Sequence, residues 1–107
     1  MYPAVMSAQI VDPFYAISIS GLAQRLKAEN RNVYLEIQGH TDATGPAAYN
    51  EELGEQRAEA VRRFLSRDGI ALNRMSTISY GSDAPVAPND TREGRSQNRR
   101  VAIVVLS

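Results

Sequence analysis

The residues best equipped for chemistry are an aspartate and an arginine. Asp42 lies in "GHTDATG", just after an alternating apolar segment, and Arg57 lies in the "YNEELGEQRAEAVRRFL" that follows. Loops that leave a strand and feed a helix N-terminus present free backbone N–H groups and often hold anions. This loop lacks the glycine spacing and the lysine of a phosphate-cradling P-loop, and Asp42 would repel phosphate. A carboxylate near a guanidinium suits a ligand that carries both charges. Asp42 would take an ammonium, while Arg57 with nearby N–H groups would take a carboxylate. That is the head of an amino acid. The alternative is that Asp42 simply pairs with Arg57 and nothing binds.

Arg57 stands out because of its place on its helix. At 100° per residue, Ala60, Val61 and Phe64 fall within roughly 80° of Leu53, with Leu65 at the edge. Glu51, Glu52, Glu55, Gln56, Glu59, Arg62, Arg63 and Arg67 spread around the opposite side. Arg57 alone interrupts the apolar stripe, in the row Leu53–Arg57–Val61. A desolvated guanidinium is costly without a partner. It must therefore meet a carboxylate, a set of carbonyls or an anionic ligand at the helix edge.

Other chemistry finds less support. His40 is the only histidine and the chain has no cysteine, which leaves too few ligands for a metal site, so His40 is expected to be structural. No cofactor is called for. There is no GxSxG elbow, and no pair of acids is singled out by spacing, so an enzyme reading is weak. "NRRV" places Arg99 and Arg100 where the last strand should begin. Strand side chains alternate, so one arginine should face the helices and the other away. Arg100 is the one expected to join Asp42 and Arg57 from the sheet side.

The 107 residues make one small domain, with 43% hydrophobic and 22% charged residues. A formal net charge of zero argues against a nucleic-acid binder that relies on a broad basic surface. No apolar run approaches membrane-spanning length, and "MYPAVMSAQI" lacks the charged start and long apolar core of a signal peptide. The chain is then either cytosolic or a domain of a longer exported protein.

The elements that must position these residues follow from periodicity. Residues 4–10 are a weak strand candidate. Asp12–Pro13 is a good helix start, and Tyr15, Ile19, Leu22 and Leu26 recur at helical spacing up to about Glu29. "VYLEIQG" alternates Val33, Leu35 and Ile37 against Tyr34, Glu36 and Gln38, as a half-buried strand does. The Arg57 helix starts at about Pro46 or Tyr49 and ends at Arg67, closed by Asp68–Gly69 with glycine in the left-handed conformation. "RMSTISYG" is a third strand. A long polar loop follows, with a helical turn around Arg92–Gln97, and "RRVAIVVLS" is a covered strand. The order βαβα-ββ predicts an α/β (α+β) two-layer sandwich, two helices packed on one face of a small mixed sheet.

With these pieces in place, "IQGHTDATGPAAYNEELGEQRAEAVRRFL" and "ISYGSDAPVAPNDTREGRSQNRRVAI" closely resemble the OmpA-like C-terminal domain. That peptidoglycan-binding family includes the peptidoglycan-associated lipoprotein and the periplasmic domains of flagellar stator B subunits. The resemblance covers about residues 33–106, and the whole chain reads as one such domain. It implies the same sandwich fold and a periplasmic protein that binds, without turnover, the diaminopimelate of the peptidoglycan stem peptide and so anchors the envelope to the cell wall. Any membrane attachment would come from parts of the parent protein outside these residues, and no nucleic-acid partner is implied.

By motif match, Asp42 and Arg57 would clasp the ammonium and carboxylate of diaminopimelate. Thr41, Thr44, Asn50 and Arg100 carry over as further contacts, and Leu53 as part of the pocket wall. Residues 1–12 depart from the pattern. Many relatives end the first strand with an acid near the site, whereas this chain has "VMSAQIVDPF", with Asp12 a few residues on. The competing reading is an envelope protein–protein interaction module in which an Asp42–Arg57 pair is only structural.

Overall fold

The computed structural model describes residues 3–11, 24 and 34–106. Four strands form one mixed sheet: β1 (Pro3–Val11), β2 (Tyr34–His40), β3 (Met75–Gly81) and β4 (Arg100–Leu106). Two helices are described, α1 (Ala47–Arg67) and the short α2 (Arg92–Asn98), with a single 3₁₀ turn at Leu72–Arg74. The helix expected from Asp12 to Glu29 lies outside the described residues except at Gln24, which is helical. The α+β class and the mixed sheet agree with the expectation.

The sheet order is β1-β4-β2-β3. β4 runs antiparallel to both β1 and β2, whereas β2 and β3 are parallel. Parallel neighbours need a crossover connection, and α1 supplies it. The two inner strands carry the core. Ile37 of β2 stands opposite Ile103 of β4, and Leu35 opposite Val105. Leu35, Ile37, Val101 and Ile103 are buried together with Ala58, Val61 and Leu65 of α1. β3 is the edge strand, and its Ile78 is exposed because its neighbours Thr77 and Ser79 face α1 and alternation turns it to the other side of the sheet.

The buried face of α1 is not the one that apolar spacing predicts. It runs Asn50, Gly54, Ala58, Val61, Leu65, whereas Leu53 and Phe64 are half-buried and Ala60 is exposed. The reason is a close approach of backbones. A Cβ at Gly39 of β2 would run into the Gly54 carbonyl, and one at Gly54 would run into Ser79 Oγ of β3. Ser79 Oγ in turn donates to the Glu51 carbonyl at 2.7 Å. The helix therefore seats on its glycine. Measured from Leu53, the true buried stripe is centred roughly 60° past Arg57, so Arg57 lies on its shoulder instead of its middle.

The end of α1 follows the expected chemistry. Asp68 N–H bonds back to the Phe64 carbonyl, Ile70 N–H to Leu65, and Gly69 takes φ 104°. That conformation favours glycine, which lacks the clashing Cβ.

Candidate functional site

The site forms where β2 ends and α1 begins. The connecting loop starts at Thr41, whose N–H donates to the Gly81 carbonyl at 2.8 Å and so ties it to the end of β3. Thr41 Oγ1 donates to the Asp42 carbonyl at 2.8 Å. Asp42 then folds back on its own loop: Oδ1 accepts the Thr44 N–H at 2.8 Å. This local carboxylate–amide bond makes the turn that asparagine and aspartate favour. Gly45, at φ 89°, turns the chain into Pro46, and the helix follows.

Asp42 and Arg57 are not each other's partner. Asp42 Oδ2 accepts from Arg99 Nη1 at 3.0 Å. Arg57 Nη1 donates to the His40 carbonyl at 3.1 Å. Of the three partners open to Arg57, the fold supplies a carbonyl, and one such bond uses one of five guanidinium N–H donors. Burial alone would raise the Asp42 carboxyl, but the Thr44 N–H, the Arg99 guanidinium and the Thr44 hydroxyl together hold it below the usual carboxylate range. Asp42 is therefore ionised at neutral pH.

A cavity of about 180 Å³ opens over these groups, lined by Thr41, Asp42, Thr44, Tyr49, Asn50, Leu53, Arg57 and Arg99. Asn50 is 2% exposed, and its Nδ2 has no protein partner among the described residues. Tyr49 is exposed and forms an outer wall. The arrangement presents one carboxylate, two guanidiniums and a buried amide to a single small volume. Its formal charge is +1, so the surplus favours a ligand carboxylate. Asp42 keeps lone pairs free for an ammonium, since a carboxylate offers about four acceptor positions.

Arg100 lies apart from this cavity. It is buried, and its Nη2 donates to the Ala84 carbonyl at 2.9 Å. Of the two arginines, Arg99 lines the cavity and Arg100, expected to reach the site from the sheet, does not. The physical reason is where the strand begins. α2 continues to Asn98, and Arg99 is its C-terminal cap, with φ −78° and ψ 81°, so it precedes the strand. Only Arg100 obeys strand alternation, which puts it on the sheet face opposite the core residues Val101 and Ile103. Arg99 and Tyr49 are the lining residues that sequence reasoning missed. A helix run to Asn98 would have signalled Arg99, because Thr91 before Gly94 is a good N-cap: Thr91 Oγ1 accepts the Gly94 N–H at 2.9 Å.

Behind the cavity, His40 is 3% exposed and its ring stacks on Tyr80 with centroids 5.2 Å apart. Neither ring nitrogen has a protein partner among the described residues. Burial first, and the nearby Arg100 charge second, lower its pKa from 6.5 to about 4, so the ring is neutral at neutral pH. The described residues hold no cluster of three or more His, Cys, Asp or Glu that could bind a metal ion. Among them, no helix is long and apolar enough to cross a membrane.

The fold is thus a mixed sheet with its crossover helix and a charged cavity at the strand ends. Residues 4–99 match the OmpA family, and the chain belongs to that family. It is 49% identical over 73 residues to the peptidoglycan-associated lipoprotein of Brucella melitensis, an overlap of 68% of this chain and 43% of that protein. It is 48% identical over 67 residues to outer membrane porin F of Pseudomonas fluorescens, covering 63% of this chain and 21% of the porin. The chain thus spans less than half the length of either relative. Among solved structures, the peptidoglycan-associated lipoprotein of Burkholderia pseudomallei superposes with TM-score 0.81 at 34% identity, over 91% of this chain and 88% of that one. The periplasmic domain of Helicobacter pylori MotB gives TM-score 0.76 at 32% identity, over 90% and 64% of the two chains.

Proposed function

We propose that this chain is a non-enzymatic peptidoglycan-binding domain that anchors an envelope protein to the cell wall by gripping the diaminopimelate of the stem peptide. Family membership and the likeness to peptidoglycan-associated lipoproteins and to a periplasmic domain of MotB support a reading of wall binding in the periplasm. The observation that carries the ligand assignment is the cavity that gathers Asp42, Asn50, Arg57 and Arg99. Diaminopimelate ends in an ammonium and a carboxylate on one carbon. Arg57 takes the carboxylate with its spare donors, Asn50 Nδ2 adds a neutral donor, and Asp42 takes the ammonium beside its bond to Arg99. Thr41 and Thr44 line the loop side, and the half-buried Leu53 packs against the ligand's methylenes. Arg100 acts from behind, by holding the Ala84 carbonyl.

Co-sedimentation with purified diaminopimelate-type peptidoglycan tests this reading. Removing one partner of a desolvated charge pair typically costs about 2–5 kcal/mol, so Asp42→Ala or Arg57→Ala should weaken retention by more than about tenfold. Wild-type retention that both variants match would show that the wall is bound elsewhere. No retention of the wild-type domain would point to a protein partner, and release of soluble fragments would mean hydrolysis.

A further inference from the structure

The ligand loop is held from one more direction, by a residue far away in sequence. Ala43 N–H, between Asp42 and Thr44, donates to Asn89 Oδ1 at 3.2 Å. Asn89 belongs to the irregular segment 82–91 that joins β3 to α2. An asparagine on such a segment could adopt many orientations. Here two contacts fix it: its carbonyl accepts Arg95 Nη1 at 3.1 Å, and its Oδ1 also accepts Asn98 Nδ2 at 2.9 Å.

Asn98 is the post behind this arrangement. It is fully buried, at 0% exposed. Its Oδ1 accepts the Val86 and Ala87 N–H groups at 2.8 and 3.1 Å, and its Nδ2 also donates to the Ala87 carbonyl at 2.9 Å. One amide thus does for the segment what a neighbouring strand would do, saturating its backbone. Gly94 lets α2 close onto the same segment, since a Cβ there would collide with the Pro88 carbonyl.

We propose that Asn89, aimed by Asn98, is a positioning residue for the ligand loop. By holding the Ala43 amide it fixes the direction in which the Asp42 carboxylate faces the cavity. The inference rests on the reading of residues 41–46 as the ligand loop. Asn89 is absent from the cavity lining, so it acts through Asp42 and not by touching ligand. Asn89 is half-buried on an irregular segment, so its truncation leaves the core intact.

Backbone amide NMR of Asn89→Ala and Asn89→Asp, with and without a diaminopimelate-containing stem peptide, tests the proposal. In the free Asn89→Ala domain the Ala43 amide proton should move upfield and exchange faster, while the Ile37 and Ile103 amides stay unchanged. Affinity for the stem peptide should fall by about threefold to tenfold, the loss expected for one neutral hydrogen bond. Asn89→Asp keeps the acceptor oxygens and should restore the Ala43 amide, a rescue that general loosening of the segment would not give. An unmoved Ala43 amide in Asn89→Ala overturns the proposal, as does wild-type affinity in that variant. If the wild-type domain itself ignores the peptide, the ligand reading fails, while the Ala43 amide still reports whether Asn89 holds the loop.

Discussion

Arg99 and Arg100 are neighbours in the chain, yet they belong to two regions with opposite electrostatic rules. In front, around the cavity, Asp42 and Arg99 are partly exposed and paired, and Arg57 keeps donors to spare. Behind the strand ends, Arg100, His40 and Asn98 are buried. Among the described residues, only Asn98 there finds partners for its whole polar inventory. The difference teaches where each region's free energy goes. Exposed pairs add little stability, with a typical worth of about 0–1 kcal/mol, and remain available to a ligand. Buried polar groups hold the scaffold, and losing one leaves its former partners desolvated and unbonded.

That contrast is open to attack from the back first. Asn98→Ala strips partners from the Val86 and Ala87 N–H groups and from the Ala87 carbonyl. At about 1 kcal/mol or more for each orphaned group, the loss should reach about 3 kcal/mol, and the melting temperature should drop by more than about 10 °C. Thermal unfolding followed by circular dichroism measures it. A drop of a degree or two would mean that the back region is no more structural than the front.

Acid sharpens the comparison further. The unfolded His40 imidazole takes a proton near pH 6.5, but the folded one only at about 4. Between those values the unfolded state binds more protons, so stability is complete above pH 6.5 and falls as pH drops toward 4. The loss should be about 2–3 kcal/mol once solvent screening is allowed for. Urea unfolding at pH 7 and pH 4.5 should show it in the wild type. His40→Phe, which retains a ring against Tyr80, should show much less of it. An equal acid loss in both proteins would move the sensitivity to other groups.

Much of this organisation was legible in the residues themselves. Leu35 and Ile37 alternate as they do because one face of β2 meets α1, and Gly69 closes α1 for a reason visible in its type. Arg57 stood out as an arginine that needs a partner, and it has one. What apolar spacing hid was the seat of α1. Gly54 and Asn50 carry no hydrophobic signal, yet the backbone approach to Gly39 turns them inward. That Arg99 and not Arg100 lines the cavity depends on one residue of helix, and alternation is blind to where a strand starts. The Asn89–Ala43 bond joins residues far apart in the chain, and nothing in "PND" announces its partner.

The central claim is that the front region, and not the back, receives the wall. Titration of the domain with a diaminopimelate-containing stem peptide, followed by backbone amide NMR, tests it most directly. The account predicts shifts concentrated at Thr41–Gly45, Asn50–Arg57 and Arg99, the segments that line one cavity. An unchanged spectrum at millimolar peptide, or shifts gathered elsewhere on the sheet, would contradict it.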